Sequence, residues 1–306
     1  MKRIGTYLPP AVAALLLAAA ALVALPTGTA QAQALLTGTL AKARETGAIT
    51  IGYRESSVPF SYLNARKEPI GYSIELCRAL VTAIEDTVNK SLTIKWEPVT
   101  SDSRFDAVAS GKVDLECGST THNLERQKRA SFSPTMFVSG TKVLVKKGSP
   151  IKSFRDLAGK KVAVTAGTTN EKTLRDLSQK FKLNIELKVA RDHAESFGLV
   201  KSGQADAFAT DDVLLYGLIA QDAAKADYEV VGDFLSYDPY GIMYRKGDAQ
   251  LGKVINDTFQ VLAEDGEIER QYKRWFLRKL PSGESLNLPM SAQLETIIQT
   301  MAVKAE

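Results

Sequence analysis

The chain has 306 residues, 44% of them apolar and 24% charged, an ordinary globular composition long enough for one or two buried cores. Its net charge of +4 is too small for a nucleic-acid-binding surface. Two cysteines and two histidines, His122 and His193, stand in no recognisable ligand spacing, so no metal is expected, and nothing in the chain calls for a cofactor.

Residues 1–34 start with Lys2 and Arg3, pass through an apolar run near Ala11 to Leu25, and end in small residues. Ala30-Gln31-Ala32 and Ala32-Gln33-Ala34 both fit an A-x-A cleavage site. The apolar run is short for a membrane span and stops at Pro26. The expectation is a cleaved signal peptide and an exported, soluble, periplasmic product. Losing Lys2 and Arg3 takes the net charge from +4 to +2. Export also changes how Cys77 and Cys117 read, because disulfides persist in oxidising compartments. Cys77 falls in a helical pattern and Cys117 at a strand end. That placement favours two buried thiols but leaves a bridge open.

After the signal, "AITIGYR" (Ala48 to Arg54) reads as a strand, and residues from Tyr72 to Asn89 carry apolar side chains at helical spacing. "LTIKWEPV" (Leu92 to Val99) is a second strand, "SDSRFDAVASGK" a short helix opened by Ser101, and "VDLECGS" a third strand. A β-α-β-α-β order of this kind predicts a parallel sheet covered by helices. The same rhythm restarts at "TKVLVKKG" (Thr141 to Gly148) and continues through "KVAVTAG", "NIELKVA", "RDHAESFGLVKSG", "ADAFATD" and "DVLLYGLIAQ". A strand over Tyr240 to Asp248 and two helices follow, and the segment after Phe276 reads as a surface wrap. Two similar α/β units without a long linker predict two lobes side by side.

In such sheets ligands sit outside the carboxyl ends of the strands. The first unit places Arg54, Ser101, Arg104, Ser119, Thr121 and Arg126 there; the second places Thr168, Thr169, His193 and Asp211. "ECGSTTHNLERQKR" (residues 116–129) reads as a hydroxyl-rich turn opening a helix, a place where free N–H groups, the helix dipole and an arginine fork suit a carboxylate. Ser and Thr before a helix also serve as plain N-caps, and both readings stand. Buried arginines need countercharge. Two ligand carboxylates would supply it, with Asp211 meeting an ammonium, so the pattern points to a small zwitterion bearing an extra acid.

The stretches "RESSVPFSY", "GYSIELCRAL", "ECGSTTHNLERQKR", "FSPTMFVSGTKVLVKKG", "DLAGKKVAVTAGTTNE" and "TDDVLLYG" resemble the periplasmic amino-acid-binding proteins of ABC importers over roughly residues 38–288. "RESSVPFSY", "TSDSR" and "RDHAESF" point to the glutamate/aspartate branch. The resemblance implies a two-lobed α/β fold, the type II periplasmic binding protein fold, with the ligand cleft between lobes joined by two hinge strands. The first lobe would span residues 35–137 and 241–306, the second 138–240. It further implies that Arg126 grips the ligand's α-carboxylate with Ser119, Thr121 and the Thr168–Thr169 region, and that Asp211 takes the ammonium. Arg54, Ser101, Arg104 and His193 would hold the side-chain carboxylate, with Phe60 as an aromatic wall or a core residue behind Pro59. The implied ligand is L-glutamate or L-aspartate, and the implied partners are membrane permease subunits serving a monomer. Asp102 and His122 are departures expected to face solvent, and choosing Asp211 over Asp212 rests on the resemblance alone.

The competing expectations are a binding protein for another polar amino acid, or a periplasmic enzyme of the same fold, such as a dehydratase. An enzyme needs a general acid or base, for which Glu55 and His193 are the candidates. A Ser119–His193–Asp211 triad is conceivable, though no G-x-S-x-G elbow occurs.

Overall fold

A computed structural model describes residues 35–303, so the expected signal peptide lies outside the described residues. The first half runs through α1 (Gly38–Thr46), β1 (Ala48–Tyr53), a small meander of β2 (Ser56–Ser57), β3 (Ser61–Leu63) and β4 (Pro69–Ile70), and α2 (Tyr72–Val88). It continues with β5 (Thr93–Pro98), α3 (Arg104–Ala109), β6 (Leu115–Glu116) and β7 (Ala130–Phe132). After β8 (Phe137–Ser139) come β9 (Thr141–Lys146), β10 (Lys161–Thr165), α4 (Thr169–Phe181), β11 (Glu186–Ala190), α5 (His193–Lys201), β12 (Ala207–Asp211), α6 (Asp212–Gln221) and β13 (Tyr228–Val231). The chain returns through β14 (Asp238–Tyr240) and β15 (Met243–Arg245) to α7 (Ala249–Glu264), α8 (Glu267–Tyr272) and α9 (Ala292–Met301).

Two five-stranded sheets result, ordered β5-β1-β6-β15-β7 and β11-β10-β12-β9-β13. In each, three neighbouring strands run parallel, β5-β1-β6 and β11-β10-β12, and the next strand is antiparallel. Strands β8 and β14 pair antiparallel with each other, Phe137 opposite Tyr240 and Ser139 opposite Asp238, and carry the chain from one sheet to the other and back.

Side-chain alternation explains how both faces of the second sheet are covered. Val143, Val145, Val162, Val164, Ala207 and Ala209 point to the face that buries Leu174 of α4. The intervening Leu144, Ala163 and Phe208 point to the face covered by Phe197 and Val200 of α5 and Leu215 and Leu218 of α6. In the first sheet Ile49, Ile51 and Leu115 meet α2 and α7 in a large core, whose aromatic centre holds Phe60, Tyr72, Phe137, Tyr240, Tyr272 and Phe276. Val99, Phe105, Val108 and Met243 form a smaller cluster under α3. No helix among the described residues is long and apolar enough to cross a membrane.

Several local expectations are corrected. "NLERQKR" makes only one 3-10 turn, Arg126–Lys128, because the chain must enter β7 at Ala130 and pair with β15. Helix α3 opens at Arg104 rather than Ser101: Thr100 and Ser103 close the turn by exchanging backbone-to-hydroxyl bonds of 3.0 and 3.1 Å, leaving Ser101 outside that exchange. The tail carries a helix, α9, which buries Leu294 and Ile298. The strand expected from Tyr240 to Asp248 is two short ones, β14 and β15.

The largest correction concerns the cysteines. Cys77 and Cys117 form a disulfide, with Cα atoms 6.3 Å apart, tying the middle of α2 to the residue after β6 across 40 positions of sequence. Closing a loop of that length removes denatured-state entropy. Replacing both cysteines by serine is therefore expected to lower unfolding stability by about 2–4 kcal/mol. Urea denaturation would show this as an earlier midpoint, matched by reductant on the wild-type protein. An unchanged midpoint would mean the bridge contributes nothing.

Candidate functional site

Each strand-end position lies where its strand hands over to the next element. Arg54 follows β1, and its backbone N–H donates to Ser61 Oγ at 2.9 Å. Arg104 opens α3 after β5, and Ser119 to Thr121 follow β6. In the second half Thr168 caps α4, its hydroxyl accepting from the Glu171 N–H, and Asp192 caps α5 so that His193 is its first residue. Asp211 ends β12. Arg54, Ser101, Arg104, Ser119, Thr121, His193 and Asp211 are all buried, and Arg126 is half-buried.

Charge is concentrated here. Arg104 Nη1 donates to Thr120 Oγ1 at 2.6 Å, and that hydroxyl donates to Glu116 Oε2 at 2.5 Å. Arg126 reaches across the site, donating from Nη1 to the Thr121 carbonyl and from Nη2 to the Gly167 carbonyl, each at 3.0 Å. The Arg104, Arg126 and Arg129 guanidiniums all lie within 6 Å of the Phe105 ring centre. Burial, with Arg104 as a like-charged neighbour, lowers Arg54 to about 10 and Arg126 to about 9, while burial alone lowers Arg104. Glu116 opposes the shift in all three.

Asp211 accepts from Asn170 Nδ2 at 2.8 Å and from the Tyr240 hydroxyl. Burial and the neighbouring Asp238 hold its carboxyl well above the usual range, against the two hydrogen bonds. His193 meets Thr165 Oγ1 through Nδ1 at 2.9 Å. Burial, then Arg54 and Arg104, depress its pKa well below the ordinary value, so it is uncharged near neutrality. Asp238 accepts from Thr121 Oγ1 at 3.1 Å and Thr169 Oγ1 at 2.8 Å, linking the turn after β6 to the start of α4.

Two glycines allow the close approach. A Cβ on Gly118 would lie 2.3 Å from Glu116 Oε1 and 3.0 Å from Arg54 Cγ. One on Gly167, whose φ is +71°, would lie 2.7 Å from the Asp102 Cα across the cleft mouth. The mouth is a depression of about 230 Å³ lined by Ser101, Phe105, Arg126, Thr168 and Thr169 among others.

Five buried polar atoms here have no partner among the described residues: Arg54 Nη1, Ser101 Oγ, Arg104 Nε, Glu116 Oε1 and Ser119 Oγ. A buried donor left unmatched costs about 1–3 kcal/mol, which makes these strand-end residues the candidate site.

Other expected residues fall differently. Phe60 is fully buried among Tyr72, Phe137, Tyr240 and Phe276, which makes it a core residue in contact with Tyr240. Asp102 and Glu55 are exposed. His122 turns to Thr135 Oγ1 at 2.9 Å. Asp212 bonds Ser139, away from Asp211's partners. The Ser119–His193–Asp211 triad is not hydrogen-bonded: Ser119 Oγ has no partner, His193 Nδ1 meets Thr165, and Asp211 meets Asn170 and Tyr240. Sequence reasoning missed Glu116, Thr120, Asn170, Asp238 and Tyr240. Sequence alone suggests that the buried arginines need an external anion, whereas the protein already supplies Glu116 and Asp238.

Residues 49–278 match the family model described as bacterial extracellular solute-binding proteins, family 3. The chain is 44% identical over 273 residues to an L-glutamate/L-aspartate-binding protein of Pseudomonas aeruginosa, covering 88% of this chain and 90% of that one. It is 41% identical over 269 residues to a glutamate/aspartate import solute-binding protein of Escherichia coli, covering 87% and 89%. Among solved structures, an ancestral arginine-binding protein bound to glutamine superposes with a TM-score of 0.69 at 30% identity, covering 76% of this chain and 99% of that one.

Tyr240 offers a test of the charge arrangement. Its hydroxyl favours the ionised form of Asp211, so Tyr240→Phe keeps the ring and removes that support. The expected loss of stability is about 1–3 kcal/mol. The sign follows from linkage: the substitution raises an already elevated folded-state pKa, so the penalty grows as pH rises through the wild-type Asp211 titration. Urea denaturation across that range checks it; a penalty independent of pH would mean the bond does not act on Asp211's charge.

Proposed function

The chain belongs to the bacterial extracellular solute-binding proteins, family 3, as the substrate-binding component of an ABC transporter, and we propose that its solute is an acidic amino acid, glutamate or aspartate. The observation that carries the proposal is the pair of buried guanidinium nitrogens, Arg54 Nη1 and Arg104 Nε, that have no partner among the described residues. Both arginines act on the uncharged His193, and the Ser101 hydroxyl is likewise unpaired among the described residues. Two arginines, a hydroxyl and an uncharged imidazole suit a carboxylate on the ligand side chain. In this reading Arg126, Ser119, Thr121 and Thr168–Thr169 take the α-carboxylate. Asp211 takes the ammonium, whose positive charge favours the carboxylate form that burial disfavours. The 41–44% identity to the glutamate/aspartate-binding relatives supports the same ligand class.

Closure is part of the proposal. One lobe comprises residues 35–137 and 241–306 and the other 138–240, with β8 and β14 as the hinge. A ligand held from both lobes binds the closed form better and shifts the equilibrium toward it, and the closed form is what the permease subunits recognise. Capture takes place in the periplasm, after removal of residues 1–34.

Calorimetry on protein unfolded and refolded to remove carried-over ligand tests the reading. Glutamate and aspartate are expected to bind one-to-one, and glutamine and asparagine tens to thousands of times more weakly, because an amide leaves a buried arginine uncompensated at about 2–5 kcal/mol. Arg54→Ala and Arg104→Ala should collapse that ratio. Equal binding of acids and amides would sink the acidic assignment. Closure is tested separately by Gly167→Val, whose side chain meets the Asp102 backbone. It should weaken all ligands alike, roughly 5–150-fold, without changing their ranking; unaltered affinity would show that this approach is not part of binding.

A further inference from the structure

Glu116 is fully buried, yet the proposed ligand roles leave it unused. It lies on β6, between β1 and β15, opposite Gly52 and Met243. One carboxylate oxygen accepts from Thr120 Oγ1; the other has no partner among the described residues. Thr120 Oγ1 in turn accepts from Arg104 Nη1. The hydroxyl's single proton is thereby committed to Glu116 and its lone pair to Arg104, which fixes the guanidinium's direction. Among the described residues, Glu116 is also the one anion that acts favourably on Arg54, Arg104 and Arg126 together.

We propose that Glu116 is a specificity-determining residue, a built-in counter-anion that sets how much positive charge Arg54 and Arg104 offer to the ligand side chain, while Thr120 positions Arg104. The inference rests on the acidic-amino-acid reading. With Glu116 ionised, the two distal arginines carry a net charge of one, which a single carboxylate balances. Without it they carry two, and a neutral amide meets both uncompensated. Glu116 thus moderates the discrimination between acid and amide, and it lets the protein hold two guanidiniums out of water before ligand arrives.

The test separates charge from positioning. Glu116→Gln keeps an oxygen able to accept from Thr120 but removes the charge; Thr120→Val keeps the charge and breaks the relay. The readout is the glutamate-to-glutamine affinity ratio by calorimetry on refolded full-length mature protein, with melting temperature recorded alongside. Glu116→Gln is expected to raise the ratio about tenfold or more, the size of one added charge at short range in a partly buried site. Thr120→Val is expected to lower it. Lower melting temperatures with an unchanged ratio in both variants, or a ratio that falls in Glu116→Gln, would overturn the inference and leave Glu116 structural. Should Glu116→Gln fail to fold, the Thr120→Val ratio decides: a fall supports the relay, no change overturns it. Wild-type protein that does not prefer glutamate overturns the functional reading and this inference with it. A wild type that does, beside variants with its own ratio, overturns this inference alone.

Discussion

A guanidinium withdrawn from water must find negative charge or polar partners nearby, and this protein buries Arg54 and Arg104 and half-buries Arg126 around one point. Much of the surrounding structure answers that requirement. Glu116 and Asp238 bring buried carboxylates, Thr120 and Thr121 relay them, and Gly118 leaves room for Glu116 and Arg54 to approach. The arrangement stops short of complete pairing, because Arg54 and Arg104 each keep a nitrogen without a partner among the described residues. Buried charges need compensation of this kind, and in the proposed reading the part left unmet falls to the ligand.

Sheet topology decides where that demand appears. Parallel strands point their carboxyl ends the same way, so the residues that follow β1, β5 and β6 gather on one edge, and those after β10, β11 and β12 on another. The pair β8 and β14 does more than connect the two sheets. Tyr240 on β14 packs against Phe60 and Phe137 in the first core while bonding Asp211 of the second sheet, and Asp238 two residues earlier joins Thr121 to Thr169. The strand that would bend on closure therefore carries groups that sense both sides of the site.

How much of this was legible depended on the kind of signal. Long periodic segments were read correctly: α6 matches "DVLLYGLIAQ" residue for residue, and β9 to β12 fall within their expected stretches. Strand ends plus charge found Arg54, Arg104, Arg126, His193 and Asp211. Glu116 and Asp238 escaped because an acid at the end of a two- or three-residue strand looks like a solvated turn residue; only the fold reveals that neither meets water. Phe60 was ambiguous for the converse reason, since an aromatic after Val58-Pro59 suits a wall and a core equally until its ring neighbours are known. The disulfide was hidden because a separation of 40 residues carries no information about distance. The short turn at Arg126 was misread as a helix because local propensity cannot anticipate that β7 claims Ala130.

The disulfide and the relay also indicate which parts of the site are fixed. Cys117 lies between Glu116 and Gly118 and is bonded to α2, while Ser73 of the same helix donates to the Gly118 carbonyl at 2.7 Å. The floor holding Glu116, and through Thr120 the Arg104 guanidinium, is thus anchored to the core rather than to a free loop. Contacts spanning the cleft include Thr121 with Thr169, Thr121 with Asp238, and Arg126 with the Gly167 carbonyl. A neutral hydrogen bond contributes about 0.5–1.5 kcal/mol net, and one to a charged group about 1.5–3, so a handful bias an equilibrium without locking it. In the proposed cycle this division is what a carrier requires. The selective half waits in position, the other half arrives, and the free energy that holds them together comes largely from the ligand they share. A tighter protein-only latch would close the cleft before capture, and a looser floor would lose the ability to distinguish a carboxylate from an amide.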